Sequence, residues 1–257
     1  MTEKIQLALD GSVATVTLNR PDKLNALDPE MLAGLDGILA QLEDDQDVRV
    51  VLLTGAGDRA FCVGADINAW AALAPLDMWR CWIRDGHRVF NRMAHLRQPF
   101  IAVLKGYTFG GGLELALAAD LRLAAEGVEL AMPEVKIGTV PGWGGTQRLP
   151  VLIGPARAKQ MIFTGERIDA HTAERWGLVN DVVPRAVLMD EARTLAQQIA
   201  QNAPLSVQMA KQLVDGAGPG ASVSLEALAG GLAASTDDGR EGVAAFRERR
   251  PARCSGH

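Results

Sequence analysis

The chain's 257 residues suffice for one large domain or two small ones, and 48% hydrophobic against 22% charged residues exclude a disordered chain. A formal net charge of -5 excludes a general attraction to nucleic acid or anionic lipid and confines any phosphate site to a local basic patch. Cys62, Cys81 and Cys254 are scattered and form no CxxC pair, which speaks against a disulfide framework or thiolate zinc site and fits reduced thiols in a cytoplasmic protein.

Read in chain order, the start MTEKIQLALDG lacks the basic head, long apolar stretch and small-residue cleavage site of a secretory signal. No apolar run approaches bilayer-spanning length, so the expectation is a soluble, unprocessed chain with no membrane partner. Lys4 to Leu9 and Ser12 to Leu18 predict two antiparallel strands around the hairpin dipeptide Asp10-Gly11. Asp28 before Pro29 is an N-cap signal, and Met31, Leu32, Leu35, Ile38, Leu39 and Leu42 recur at helical spacing. Val48 to Thr54 and Phe100 to Lys105 are β-rich runs suited to strands covered on both faces. Gly112 to Ala119 predicts a helix and Leu121 to Ala124 another strand, so strands and helices alternate in an α/β body. Beyond Gly144 the texture is helical: Pro155 to Phe163, Ala170 to Trp176, Pro184 to Gln201, Pro204 to Val214 and Leu225 to Arg249, with one strand near Leu178 to Val183. The division expected is a catalytic core over 1–195 and a helical region over 196–257, with Gly216 to Gly220 as a turn between helices.

Gly110, Gly111 and Gly112 stand between a strand and a helix, where a ligand atom can approach the backbone and the first helical N–H groups have no internal acceptor. The same cluster is equally an easy turn. A second glycine turn, Phe61 to Asp66, follows the buried strand and could aim another N–H at the same point, giving an oxyanion hole. Neither this turn nor Gly142 to Gln147 matches a dinucleotide fingerprint, and no Gly-Lys pair supplies a phosphate loop. Glu114 interrupts an apolar helix and Glu134 a Met-Pro-Glu turn; taken singly, Glu134 reads as a solvated turn residue. Together, two such carboxylates suit a reaction in which one takes a proton from water and the other delivers one to carbon. His87, His95, His171 and His257 show no metal-ligand spacing, and no metal is expected.

Phe61-Cys62-Val63-Gly64-Ala65-Asp66-Ile67, Gly110-Gly111-Gly112-Leu113-Glu114-Leu115-Ala116, and Pro133-Glu134 through Pro141-Gly142-Trp143-Gly144-Gly145-Thr146-Gln147-Arg148-Leu149 together resemble the crotonase (enoyl-CoA hydratase/isomerase) superfamily. Asn19-Arg20-Pro21, Leu24 to Leu27, Glu241-Gly242 and Phe246 extend the resemblance over nearly the whole chain. It implies a spiral of β-β-α repeats with a helical carboxy-terminal region that assembles homotrimers, commonly paired into hexamers. It further implies that the Ala65 and Gly111 N–H groups hold the thioester oxygen, that Glu114 activates water, that Glu134 exchanges the α-carbon proton, and that Gly142 N–H helps position the water. The substrate would be an acyl-CoA, coenzyme A being part of the substrate and no separate cofactor being needed. Arg20, Lys23, Arg59, Ala65, Asp66, Ile67, Phe246 and Arg249 are the implied CoA contacts, although each basic residue also suits a solvated surface.

Retaining both glutamates points to hydration; the alternatives are an enoyl-CoA isomerase and a CoA-binding relative without catalysis. Trp143 departs from the small residue that hydratases commonly carry there, and it either narrows the acyl pocket or packs in the core. Trp70, Trp79 and Trp82 are candidates for the acyl wall, with core packing as the plainer role for each.

Overall fold

The computed structural model describes residues 4–216 and 222–257. Strands β1 (Ile5–Asp10) and β2 (Val13–Leu18) form the expected hairpin, with Gly11 at φ +56° in its turn. Helix α1 (Pro29–Asp44) starts on Asp28, whose side chain accepts from Met31 N, and its buried face is the predicted six-residue stripe. Next come β3 (Val50–Gly55), β4 (Ala60–Cys62), the short helices α2 (Ile67–Trp70) and α3 (Pro75–Asp77), a π-helical turn (Met78–Ile83) and α4 (Arg84–Ala94). Then follow β5 (Phe100–Leu104), β6 (Tyr107–Phe109), α5 (Gly111–Leu117), β7 (Leu121–Ala125), β8 (Glu129–Ala131) and a 3-10 turn (Glu134–Ile137). The chain continues through α6 (Gly145–Ile153), α7 (Pro155–Thr164), β9 (Ile168–Asp169), α8 (Ala170–Arg175), β10 (Asp181–Val183) and α9 (Leu188–Ala200). Helices α10 (Pro204–Asp215), α11 (Ser222–Ser235) and α12 (Asp237–Glu248) complete it.

Two sheets organise these elements. One has six strands in the order β1-β2-β3-β5-β7-β10, the other four in the order β4-β6-β8-β9. The pairs β3/β4, β5/β6 and β7/β8 each send their first strand to the large sheet and their second to the small one, with helices between successive pairs. That alternation is the spiral of strand-strand-helix units. The pairings β2-β3-β5-β7-β10 and β4-β6-β8 are parallel, as crossovers through helices require. Every residue of β3 and β5 is buried, which explains their unbroken apolar character; α9 covers β3, β5 and β7.

Helix α9 spans residue 195, and the layer beyond it begins with α10. Lys211 of α10 anchors that layer: its nearly buried ammonium bonds Asp120 (2.9 Å) and the Gln98 carbonyl (3.1 Å). The single helix expected over Leu225 to Arg249 is instead two. Thr236 breaks it by accepting from Gly239 N at 2.9 Å, a local N-cap that competes with helix continuation. The turn expected at Gly216 to Gly220 falls, after Gly216, outside the described residues.

Candidate active site

Three neighbouring parallel strands of the small sheet carry the site. The chain leaves the carboxyl end of β4 into Val63–Ala65, the end of β6 into Gly110–Gly111 and α5, and the end of β8 into Pro133–Glu134. Adjacent strands lie about 5 Å apart, so groups leaving consecutive ends converge on one ligand. All three segments line one cavity of about 260 Å³.

Ala65 and Gly111 present neighbouring backbone N–H groups. A Cβ on Gly111 would stand 3.4 Å from Ala65 N, and one on Gly64 would stand 2.9 Å from Gly111 N. Gly64 adopts φ +99°, the left-handed conformation that turns the chain here. Among the described residues neither N–H has a protein acceptor, and Gly111 opens α5, where the amides point outward unpaired. Two such donors facing a cavity are an oxyanion hole in form. Cys62 beside them is fully buried with its thiol pushed up to about 12 by burial, a packing residue.

The two glutamates face this cavity from different settings. Glu114, 2% exposed, accepts from Trp143 N and Gly145 N, both at 2.8 Å and both on Oε1. Gly142 N–H also bears on the carboxylate. Burial raises the Glu114 pKa; the three amides and the Arg148 charge oppose the rise without cancelling it. Glu134 is half-buried as a residue, yet both its carboxyl oxygens are shut away without a hydrogen-bond partner. Burial pushes its pKa to about 7; its own backbone N–H opposes the rise, and the Glu114 charge, a smaller effect, adds to it. The Glu134 carboxyl lies against Gly110, where a Cβ would stand 3.0 Å from Oε1. Amide donors favour the charged form of Glu114, whereas burial favours the protonated form of Glu134 up to about pH 7.

Trp143 is both core and pocket wall. It is 2% exposed, lines the cavity, packs with its ring centroid 5.2 Å from Trp82 in a tilted pair and 5.3 Å from Phe90 edge-on, and donates its indole N–H to the Trp82 carbonyl. A Cβ on Gly86 would lie 2.2 Å from the indole nitrogen, so the ring fits only against a glycine on α4. That pairing went unread: a glycine inside an amphipathic helix was its one sequence signal. The donor role of the Trp143 and Gly145 amides was likewise missed, Gly142 having been singled out instead. Trp70 and Trp82 line the cavity, joined by Met78, Ile83, Ile137 and Val140, whereas Trp79 lies outside it, 63% exposed.

Of the implied CoA contacts, Ala65 and Ile67 line the cavity. Arg20 is committed elsewhere: it bonds Asp66 at 2.7 Å and the Ala26 carbonyl at 3.0 Å, tying the first loop to the turn that carries Ala65. Asp66 in turn caps α2 through Asn68 N. Lys23 and Arg59 are exposed, outside the cavity wall, with no partner among the described residues. Phe246 and Arg249 stand exposed on and just after α12 and do not line this cavity. No group of three His, Cys, Asp or Glu among the described residues could hold a metal ion.

Comparison with known proteins agrees with this geometry. The enoyl-CoA hydratase/isomerase family model matches residues 9–256. The chain is 40% identical to a short-chain-enoyl-CoA hydratase of Clostridium acetobutylicum over 95% of this chain and 94% of that protein. It is 44% identical to an (E)-benzylidenesuccinyl-CoA hydratase of Thauera aromatica over 96% of both. The crystal structure of an enoyl-CoA hydratase from Bacillus anthracis superposes with a TM-score of 0.95 at 37% identity, covering 99% of this chain and 100% of that one. With its two interleaved sheets, paired amides and family-wide sequence match, the chain belongs to the enoyl-CoA hydratase/isomerase family.

Proposed function

We propose that the protein is an enoyl-CoA hydratase, adding water reversibly to a 2-enoyl-CoA to give the 3-hydroxyacyl-CoA. The observation that carries this reading is the unequal pair of carboxyls beneath two free amides in one cavity. The Ala65 and Gly111 amides take the thioester oxygen, and Glu114 accepts a proton from water as that water attacks the β-carbon. Negative charge moves to the thioester oxygen, where donors of this kind each contribute about 3 kcal/mol. Protonated Glu134 then delivers its proton to the α-carbon. The acyl group lies against Trp70, Met78, Trp82, Ile83 and Trp143, while exposed Lys23 and Arg59 are cations available for CoA phosphates.

Incubation with crotonyl-CoA tests the assignment: the conjugated-enoyl absorbance should fall with the native protein and persist with Glu114→Gln. Conversion of a 3-enoyl-CoA without hydration would instead identify an isomerase, and CoA binding without turnover of an acyl-CoA panel would identify a non-catalytic relative.

We further propose a homotrimer, or a hexamer of two trimers, in the cytoplasm. In support, α11 and α12 leave Leu225, Leu228, Leu232, Val243 and Phe246 exposed, a large apolar area for an unpartnered surface. Light scattering should give three or six times the 27.4 kDa chain; a monomer would refute the assembly but not the chemistry.

A further inference from the structure

We infer that Arg148 is a positioning residue of the hydration site, bracing the Gly142–Gly145 loop so that its amides stay aimed at Glu114. The inference rests on the hydratase reading. Arg148 sits on the first full turn of α6, half-buried and outside the cavity, so it does not touch substrate.

Its guanidinium makes two bonds in different directions. Nη1 donates to the Trp143 carbonyl at 3.2 Å, and Nη2 donates to Asn91 Oδ1 on α4. The Trp143 residue thus holds Glu114 through its N–H while Arg148 holds Trp143 through its C=O. Gly144, next in the loop, takes φ +106°, and a Cβ there would collide with Nη1 at 2.0 Å. The loop therefore closes directly over the guanidinium. Arginine suits the task because its planar fork reaches two acceptors at once, as a lysine point charge cannot.

The second effect is electrostatic. The Arg148 guanidinium favours the Glu114 anion, and the Glu114 charge in turn opposes ionisation of Glu134. Removing Arg148 should raise the Glu114 pKa, so the acidic limb of the kcat/KM profile should move to higher pH.

Arg148→Met, Arg148→Lys and Asn91→Ala are compared by turnover of crotonyl-CoA and by ¹³C NMR titration of Glu114 in the free protein, assigned by difference from Glu114→Gln. For Arg148→Met the expected result is a kcat loss on the order of 100-fold with KM nearly unchanged, and a Glu114 titration shifted upward. Arg148→Lys should restore the titration while recovering kcat only in part, and Asn91→Ala should reduce kcat without shifting the titration. Unchanged kcat and titration in a folded Arg148→Met would overturn the inference, as would a loss confined to thermal stability. A native protein that hydrates nothing overturns the hydratase reading alone, since the titration needs no turnover.

Discussion

The chemistry turns on how differently two identical side chains are treated. Glu114 has two amides within 2.8 Å, and Glu134 has none. For Glu134 the pKa near 7, against an ordinary 4.5, means that the folded chain retains a proton which the unfolded chain has released between those values. Stability must therefore fall as pH rises from about 4.5 to about 7 and remain lowered above it. Glu134→Gln, which cannot ionise, should match the parent in urea midpoint below that window and exceed it at pH 8. In the proposed mechanism the same proton is delivered to carbon, so hydration kcat/KM of the parent should decline above about pH 7, measurable from initial rates across pH.

Glu114 was legible in sequence because a carboxylate between Leu113 and Leu115 is costly without a task, and Glu134, which alone reads as a solvated turn residue, only through the family pattern. Their difference was not, since it depends on amides thirty residues away along the chain. Arg20 shows the converse limit: its charge suggested phosphate, but composition cannot reveal that Asp66 folds back to within 2.7 Å.

Among the elements, α4 supports the site without entering the reaction. Gly86 admits the Trp143 ring, and Asn91 takes one arm of Arg148. In an open helix, Gly86→Ala would gain about 1 kcal/mol in propensity. Here the added carbon meets the indole nitrogen at 2.2 Å, and overpacking of this kind costs about 1–3 kcal/mol. The clash should win: thermal unfolding of Gly86→Ala is expected below that of the parent, with reduced kcat because the Trp143 amide moves with its ring. The long strands and α1 were readable from their periodicity. β4, β6 and β8 were not, being three residues each and too short to show a pattern, yet their ends lead into the Ala65 and Gly111 amides and both glutamates.

Across the whole molecule, the β-β-α spiral and the helical carboxy-terminal layer follow the family resemblance, while one expected long helix divides at Thr236, whose hydroxyl caps α12. The carboxy-terminal layer is fastened to the core at few polar points, among them Lys211 with Asp120 and Arg49 with the Ala200 and Cys254 carbonyls.

The spiral has a consequence for how such a protein can diversify. The proton-handling groups come from the storeys of a staircase whose step height is fixed by main-chain pairing, whereas much of the substrate wall, from Trp70 to Ile83, hangs on the outer landing between β4 and β5. Lengthening or rewriting that landing can recast which acyl groups are admitted while the staircase keeps its pitch. Trp143 belongs to both, so exchanging this wall residue would also retune the proposed base.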